Sequence, residues 1–314
     1  MSIFQRIQKV TGNLPSPPTS TPVRRRTRAA VAEQYWPSDN LAEGDGFVKR
    51  CVTMADIAPE TTRAGSETIH VSSVIRGDWC PRAYLIHSRH MQGQSENVLS
   101  QQRIVWIIGR AAEHHVRVQF IKMHGRHRVV GNWTCGCGAT EVSGPGSLTA
   151  VCQTCGGPVA DYGELLLIDT DRRLSGNPDL VFITSSGGLE IVEIKSIKKD
   201  DFDKLFKANP QHVLQCRSYV RLLKSKFPEK KIGGRVLYVA KDYINPRTSP
   251  YLEFELTDAM NENADLILDT LNQSVDTTRA HEEQGTYPDR LPVCASMKSP
   301  RAKACTACSL CFSL

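Results

Sequence analysis

Two carboxylates and one ammonium have the types and spacing to do chemistry together. Asp179 follows Gly176-Asn177-Pro178, and Glu193 and Lys195 interrupt an apolar run of β-formers around Ile191, Val192 and Ile194. Between them, Ser185-Ser186-Gly187-Gly188 supplies glycines for a positive-φ turn, so the stretch predicts a hairpin. A loop centred near Ser186 or Gly187 sets Asp179 opposite Glu193 or Ile194, and facing side chains in such a ladder stand about 5 Å apart. Glu193 and Lys195 are two residues apart and share a face. Like charges facing each other cost stability unless a cation sits between them. A hard divalent cation fits, since Mg²⁺ is commonly held by one or two carboxylates plus waters and phosphate oxygens. The bland alternative is a solvated hairpin face with a chance ion pair.

The elements that must position these groups come next. The chain has 314 residues, enough for one large domain or two modest ones, with 40% hydrophobic and 23% charged residues. That balance can bury a core and excludes broad disorder. The net charge of +6 mildly favours an anionic partner such as nucleic acid. No apolar run approaches a membrane span. Residues 1–45 read as a disordered basic tail, with "NLPSPPTSTP" and Arg24-Arg25-Arg26, rather than a targeting segment. From Val71 the pattern is compact. Ser72 or Ser73 caps a short helix, Cys80-Pro81 opens a second, and a long helix runs over 95–123. Three successive strands are expected over 163–196, then a helix over 201–224, strands at "GRVLYVAK" and "YLEFELT", and a helix over 258–283. Helix, antiparallel strands, helix, strand is an α/β or α+β core.

Two helices carry candidate partners for the hairpin. Gly109 and Glu113 lie four apart on one face of the long helix. A helical glycine costs about 1 kcal/mol relative to alanine and often marks close approach by another backbone. Glu113 is thereby a candidate to join Asp179 and Glu193, and His114, next to His115, is a second candidate for metal or phosphate. On the later helix Gln211, Gln215 and Tyr219 repeat every four residues, presenting amide and phenol groups that bond phosphate or water.

The eleven cysteines are clustered and there is no secretory segment at the start, which points to metal ligands in a reducing compartment. Cys135, Cys137, Cys152 and Cys155 make Cys-x-Cys, a fourteen-residue gap, then Cys-x₂-Cys, close to a zinc ribbon. Residues 131–160 have few large apolar side chains and are expected to form a separate inserted unit stapled by zinc. Cys80 stands before the core, and Cys294, Cys305, Cys308 and Cys311 crowd its end; three of the latter with one more ligand would make a second zinc site. Cys51 and Cys216 have no partners in this pattern.

In order and rough spacing, "GRAAEHH", "GNPD", "EIK" and "QCRSY" resemble the PD-(D/E)XK nuclease superfamily in its RecB-like branch. The resemblance covers about 71–314 apart from the cysteine-rich insertion. It implies an α/β fold with a restriction-endonuclease-like core, a mixed sheet flanked by helices, built from 46–130 and 161–314. It further implies that Asp179, Glu193 and the Ile194 carbonyl hold Mg²⁺ or Mn²⁺, with Glu113 or His114 assisting. Lys195 would orient or deprotonate the attacking water, and Gln215 and Tyr219 would position DNA. One cysteine before the core and three after it is also the arrangement of the iron–sulfur members, which include CRISPR-associated exonucleases. That implies a 4Fe-4S staple on Cys80, Cys294, Cys305 and Cys311, with Cys308 as the alternative ligand. The implied activity is DNA exonuclease on single strands or duplex ends, in recombination, repair or phage DNA metabolism, in a bacterial or phage-infected cytoplasm, alongside recombination or replication proteins. A structure-specific endonuclease on the same fold, or a DNA-binding recombination factor that does not cut, are the alternatives.

Overall fold

The computed structural model describes residues 68–90, 100–143, 152–157, 159–171, 173–242 and 249–314. The expected basic tail and Cys51 lie outside them. The chain divides into two compact units, 1–64 with 93–107, and 65–92 with 108–314. Every candidate residue lies in the second.

The backbone of that unit is strand β8 (Leu189–Ile197). Its first six residues are all buried, as a strand covered on both faces requires. It pairs antiparallel with β7 (Leu180–Ile183) and parallel with β9 (Ile232–Ala240). Strand β10 (Tyr251–Glu255) lies outside β9, and β2 (Val129–Cys135) outside β7. Strands β3 (Thr140–Ser143) and β4 (Val159–Gly163) flank the far end of β2. A smaller sheet joins β1 (Ile69–His70), β6 (Leu174–Gly176) and β5 (Leu167–Asp169).

The meander expected over 163–196 therefore holds four strands, not three. Arg173 takes a φ of 51°, and the chain doubles back there so that β5 pairs with β6 in the small sheet. The hairpin turn follows the prediction: Gly187 has a φ of 80°, and Thr184 N–H donates to the Gly188 carbonyl.

Helices cover the sheet. Helix α3 (Ser100–His124) follows α1 (Val71–Val74) and α2 (Pro81–His90). His70, rather than a serine, caps α1 by accepting from Ser72 N–H. Val116, Phe120 and Ile121 of α3 pack on a core of Val129, Trp133, Leu180, Val192 and Ile194. The single helix expected over 201–224 is broken into α4 (Lys199–Phe202) and α5 (Pro210–Lys226). Pro210 pushes Asn209 out of the helical region, and the Asn209 side chain then caps α5 by accepting from Gln211 N–H. Helix α6 (Asp258–Glu283) spans the predicted range. The cysteine-bearing tail, expected as a loop, winds into α7 (Pro300–Ala304) and α8 (Cys308–Ser313).

The cysteine-rich segment, expected as a separate unit, shares a strand with the main sheet among the described residues. Strand β2 begins in the main sheet, and Cys135 and Cys152 belong to the same core as Leu180 and Ile194.

Candidate active site

Strand register decides the geometry. Leu180 faces Val192, so Asp179, one step before β7, comes level with Glu193. Asp179 Oδ2 accepts from the Ile194 N–H at 2.7 Å, which fixes the carboxylate against β8. The N–H of Ile194 is thus what engages Asp179. Val192 and Ile194 face the α3 side of the sheet, and period 2 turns Glu193 and Lys195 to the other face. Lys195 Nζ is ion-paired with Glu193 Oε1. Glu193 is 1% exposed, and its Oε2 makes no hydrogen bond among the described residues.

Helix α3 reaches this point through its glycine. A Cβ on Gly109 would stand 3.3 Å from Ser196 Oγ of β8, so the helix passes close over the strand and brings Glu113 in one turn later. Glu113, Asp179 and Glu164 each place a carboxylate oxygen within 4.8 Å of the others. His114 is exposed, and it is Glu113 rather than His114 that joins the group.

Glu164 is the residue that the sequence reading missed. It leaves β4, whose Gly163 faces Asn132 of β2, and Asn132 Nδ2 donates to the Glu164 carbonyl at 2.8 Å. Arg117, one turn after Glu113, donates to Glu164 Oε1 at 2.6 Å and to the Asp179 carbonyl at 3.4 Å. The only sequence signal was an arginine one turn after a candidate acid.

The electrostatics follow from this crowding. Burial raises the Asp179 carboxyl well above its usual range; Glu193 and Glu113 raise it further, while Lys195 and the Ile194 N–H oppose them. Burial lifts Glu193 to about 7 against the pull of Lys195. Burial also lifts Glu113, with Lys195 and Arg117 opposing. For Lys195, burial works to lower the ammonium, yet Glu193 and Asp179 lift it above its usual value, so it stays charged. An excess of buried negative charge with one orphaned oxygen is what a divalent cation would neutralise, and the donor set is all oxygen, as Mg²⁺ or Mn²⁺ prefers.

Helix α5 packs over the face that carries Glu193 and Lys195. Tyr219 is 1% exposed, and Gln215 Nε2 donates to its hydroxyl at 3.0 Å. Tyr219 cannot itself reach a DNA backbone; it holds Gln215 instead. Gln211 is exposed, and the site-facing row is His212, Gln215 and Tyr219, spaced i, i+3, i+7. Gly176 explains part of this packing: a Cβ there would lie 2.3 Å from Tyr219 Cε1.

The outer cysteines converge. Arg82 of α2 donates to the Pro288 carbonyl at 2.9 Å and to the Cys311 carbonyl at 3.3 Å. Arg89 donates to the carbonyls of His281, Glu282 and Thr286 at the end of α6. These bonds draw Cys80 to the end of the chain. Burial raises its thiol, and Cys305, Cys294 and Cys311 raise it further. Cys308 is a neighbour of Cys294. The inner set is tighter. Cys135 and Cys155 sulfurs are 3.4 Å apart, Cys137 and Cys152 3.8 Å, and all four lie within 4.8 Å of one another. Backbone N–H groups of Thr154 and Gly157 donate to the Cys152 and Cys155 sulfurs, both at 3.3 Å. The Cys155 N–H, then the Thr154 N–H and the Cys137 and Cys135 thiols, lower Cys152 to about 7. Cys216 is buried and donates to the Arg235 carbonyl, an ordinary core thiol.

No protein-family model matches the chain, and neither does any curated protein. Solved structures do. The crystal structure of SSO0001 is 16% identical with a TM-score of 0.38, over 85% of this chain and 97% of that one. The alkaline exonuclease LHK-Exo from Laribacter hongkongensis is 14% identical with a TM-score of 0.37, over 75% of this chain and 99% of that one. Its complex with dAMP is 13% identical with a TM-score of 0.31, over 70% and 96%. At these TM-scores the likenesses carry no argument; the residues do.

Proposed function

We propose that this protein is a metal-dependent DNA nuclease of the PD-(D/E)XK type, acting as an exonuclease in recombination, repair or phage DNA metabolism. One observation carries the reading: Asp179 stands level with Glu193 on adjacent strands, with Lys195 on the same face as Glu193 and an unpartnered buried oxygen on Glu193. Asp179, Glu193, Glu113 and the Ile194 carbonyl would hold Mg²⁺ or Mn²⁺, with Glu164 beside them. The cation, when bound, polarises a phosphoryl oxygen and lowers the pKa of water. Lys195 orients or deprotonates the attacking water and counters the charge that grows on the phosphoryl group. Arg117 fixes Glu164, Tyr219 fixes Gln215, and Gln215 contacts the DNA backbone.

The two cysteine sets take different groups. Zinc–sulfur bonds of about 2.3 Å in a tetrahedron put sulfurs about 3.8 Å apart, and the spacings of Cys135, Cys137, Cys152 and Cys155 fit that size. Among the described residues no three of the outer thiols lie within 4.8 Å of one another, and a four-iron core needs its thiolates further apart. Cys80, Cys294, Cys305 and Cys311 are therefore assigned a structural 4Fe-4S cluster, with Cys308 the alternative.

The test is purified protein with end-labelled single- and double-stranded DNA plus Mg²⁺ or Mn²⁺. Mononucleotides released from an end support the exonuclease, and internal fragments support the endonuclease. Asp179→Ala, Glu193→Ala and Lys195→Ala should each stop cleavage. Cutting by Glu193→Ala at the parent rate would remove the proposal.

A further inference from the structure

His212 stands in the site-facing row of α5 and belongs to none of the sequence motifs. Its ring stacks at a tilt on Tyr238, with centroids 5.6 Å apart. Tyr238 lies on β9 in register with Lys195 on β8, so the two side chains share a face. The hydrogen bonds around Tyr238 run in one direction. The Asn209 N–H donates to the Tyr238 hydroxyl oxygen at 2.8 Å, and that hydroxyl lies 2.8 Å from His212 Nδ1. Tyr238 is 1% exposed. If Nδ1 carried the proton, the tyrosine oxygen would accept twice and its own proton would be buried without an acceptor. Buried hydroxyls find partners, so the tyrosine donates and Nδ1 accepts. Nε2 must then carry the hydrogen. Nε2 makes no hydrogen bond among the described residues and is not among the fully enclosed unpartnered atoms.

Resting on the nuclease reading, we propose that His212 touches the substrate: its Nε2–H donates to a non-bridging oxygen of the scissile phosphate, beside the Lys195 ammonium. No proton is transferred. The ring is a neutral donor held in one tautomer, so it needs no reorganisation as negative charge grows on the phosphoryl oxygens. Burial, and then Lys195, lower the imidazole to about 4, which keeps it neutral across the working range. This gives Asn209 and Tyr238 positioning roles: they set which nitrogen carries the hydrogen.

The experiment has two arms on the full chain. In the first, selective ¹⁵N-histidine labelling with the His212→Gln protein for assignment reads the tautomer directly. A pyrrole-type Nε2 and pyridine-type Nδ1 are expected; the reverse assignment overturns the proposal whether or not the protein cuts DNA. In the second, His212→Ala should lower kcat roughly a hundredfold, as loss of one preorganised donor does, with KM little changed; because it also strips the buried Tyr238 hydroxyl of its acceptor, the melting temperature should fall, and kcat is read well below the melt. His212→Gln, which returns an N–H near the Nε2 position, should recover at least part of that loss. Parent-level turnover by His212→Ala overturns the proposal, as does a loss that glutamine does not relieve. A parent protein that fails to cut DNA overturns the nuclease reading instead, and the substrate contact with it.

Discussion

Replacing Glu193 by glutamine should make the protein more stable and inactive at once. The carboxyl rises from its ordinary 4.5 to about 7, with burial the leading cause. A carboxyl raised in the folded state binds a proton that the unfolded chain has already released. The contribution of this group to stability is therefore fully present below pH 4.5 and is lost as pH rises through about 7. At 1.36 kcal/mol per pH unit, the full loss is about 3 kcal/mol. Glutamine mimics the protonated form and still offers Lys195 an acceptor, so Glu193→Gln should be about 3 kcal/mol more stable than the parent at pH 8 and little different at pH 4.5. For a unit of this size that is a melting shift on the order of 10 °C. The assay is thermal unfolding between pH 4.5 and 8 in buffer without added Mg²⁺ or Mn²⁺; strong chelators are avoided because they also strip zinc. Saturating Mn²⁺ should then raise the parent by about 3 kcal/mol at a hundred times its dissociation constant and the variant by much less. If Glu193→Gln melts at or below the parent at pH 8, the crowding of buried charge is wrong. If Mn²⁺ moves both equally, the cation binds elsewhere.

Three further outcomes are expected. Gly176→Ala forces a Cβ to within 2.3 Å of the buried Tyr219 ring, where overpacking costs about 1–3 kcal/mol; denaturant unfolding should show that loss, and cleavage should fall with it because Gln215 leans on Tyr219. Anaerobically purified parent should be brown with about four irons per chain, and Cys80→Ser should bleach it and lower its melting temperature; a colourless, equally stable parent with two zinc ions refutes the iron assignment. Metal analysis should find one zinc per chain, lost in Cys155→Ser, and that variant should melt lower as a whole because Cys135 and Cys152 sit in the core with Ile194; an unchanged melt would mean that the ribbon is energetically separate.

Local rules made part of this site legible. Asp179, Glu193 and Lys195 could be placed from strand period and a glycine turn, since both act over a few residues. Gly109 announced the close pass of α3 because a helical glycine has a cost that something must offset. Glu164 and His212 obey no such rule. Glu164 arrives through the pairing of β4 with β2, and His212 through the break at Asn209-Pro210 that aims α5 at Tyr238. The Pro210 signal was in the sequence, but the helical periodicity on both sides hid it. Cysteine spacing, for a related reason, says nothing about which sheet the flanking strand β2 extends.

The placement of the two cysteine sets follows from what the site costs. A domain keeps only about 5–15 kcal/mol of net stability, and the raised Glu193 carboxyl opposes folding once it ionises. Asp179 and Glu113, raised in the same direction, add to that opposition. Such a cluster pushes apart the elements that deliver its members: α3 with Glu113, β4 with Glu164, and β7 with Asp179. Zinc on the ribbon thiols would close the far end of β2, the strand that pairs with both β4 and β7. A cluster on the outer thiols would tie α2 to the end of α6, where Arg82 and Arg89 already stitch the chain. Each clamp thus bears on an element next to the repulsion and not on the reacting groups. Loss of either should therefore lower affinity for Mn²⁺ more than it alters the pH dependence of cleavage by the molecules that remain loaded.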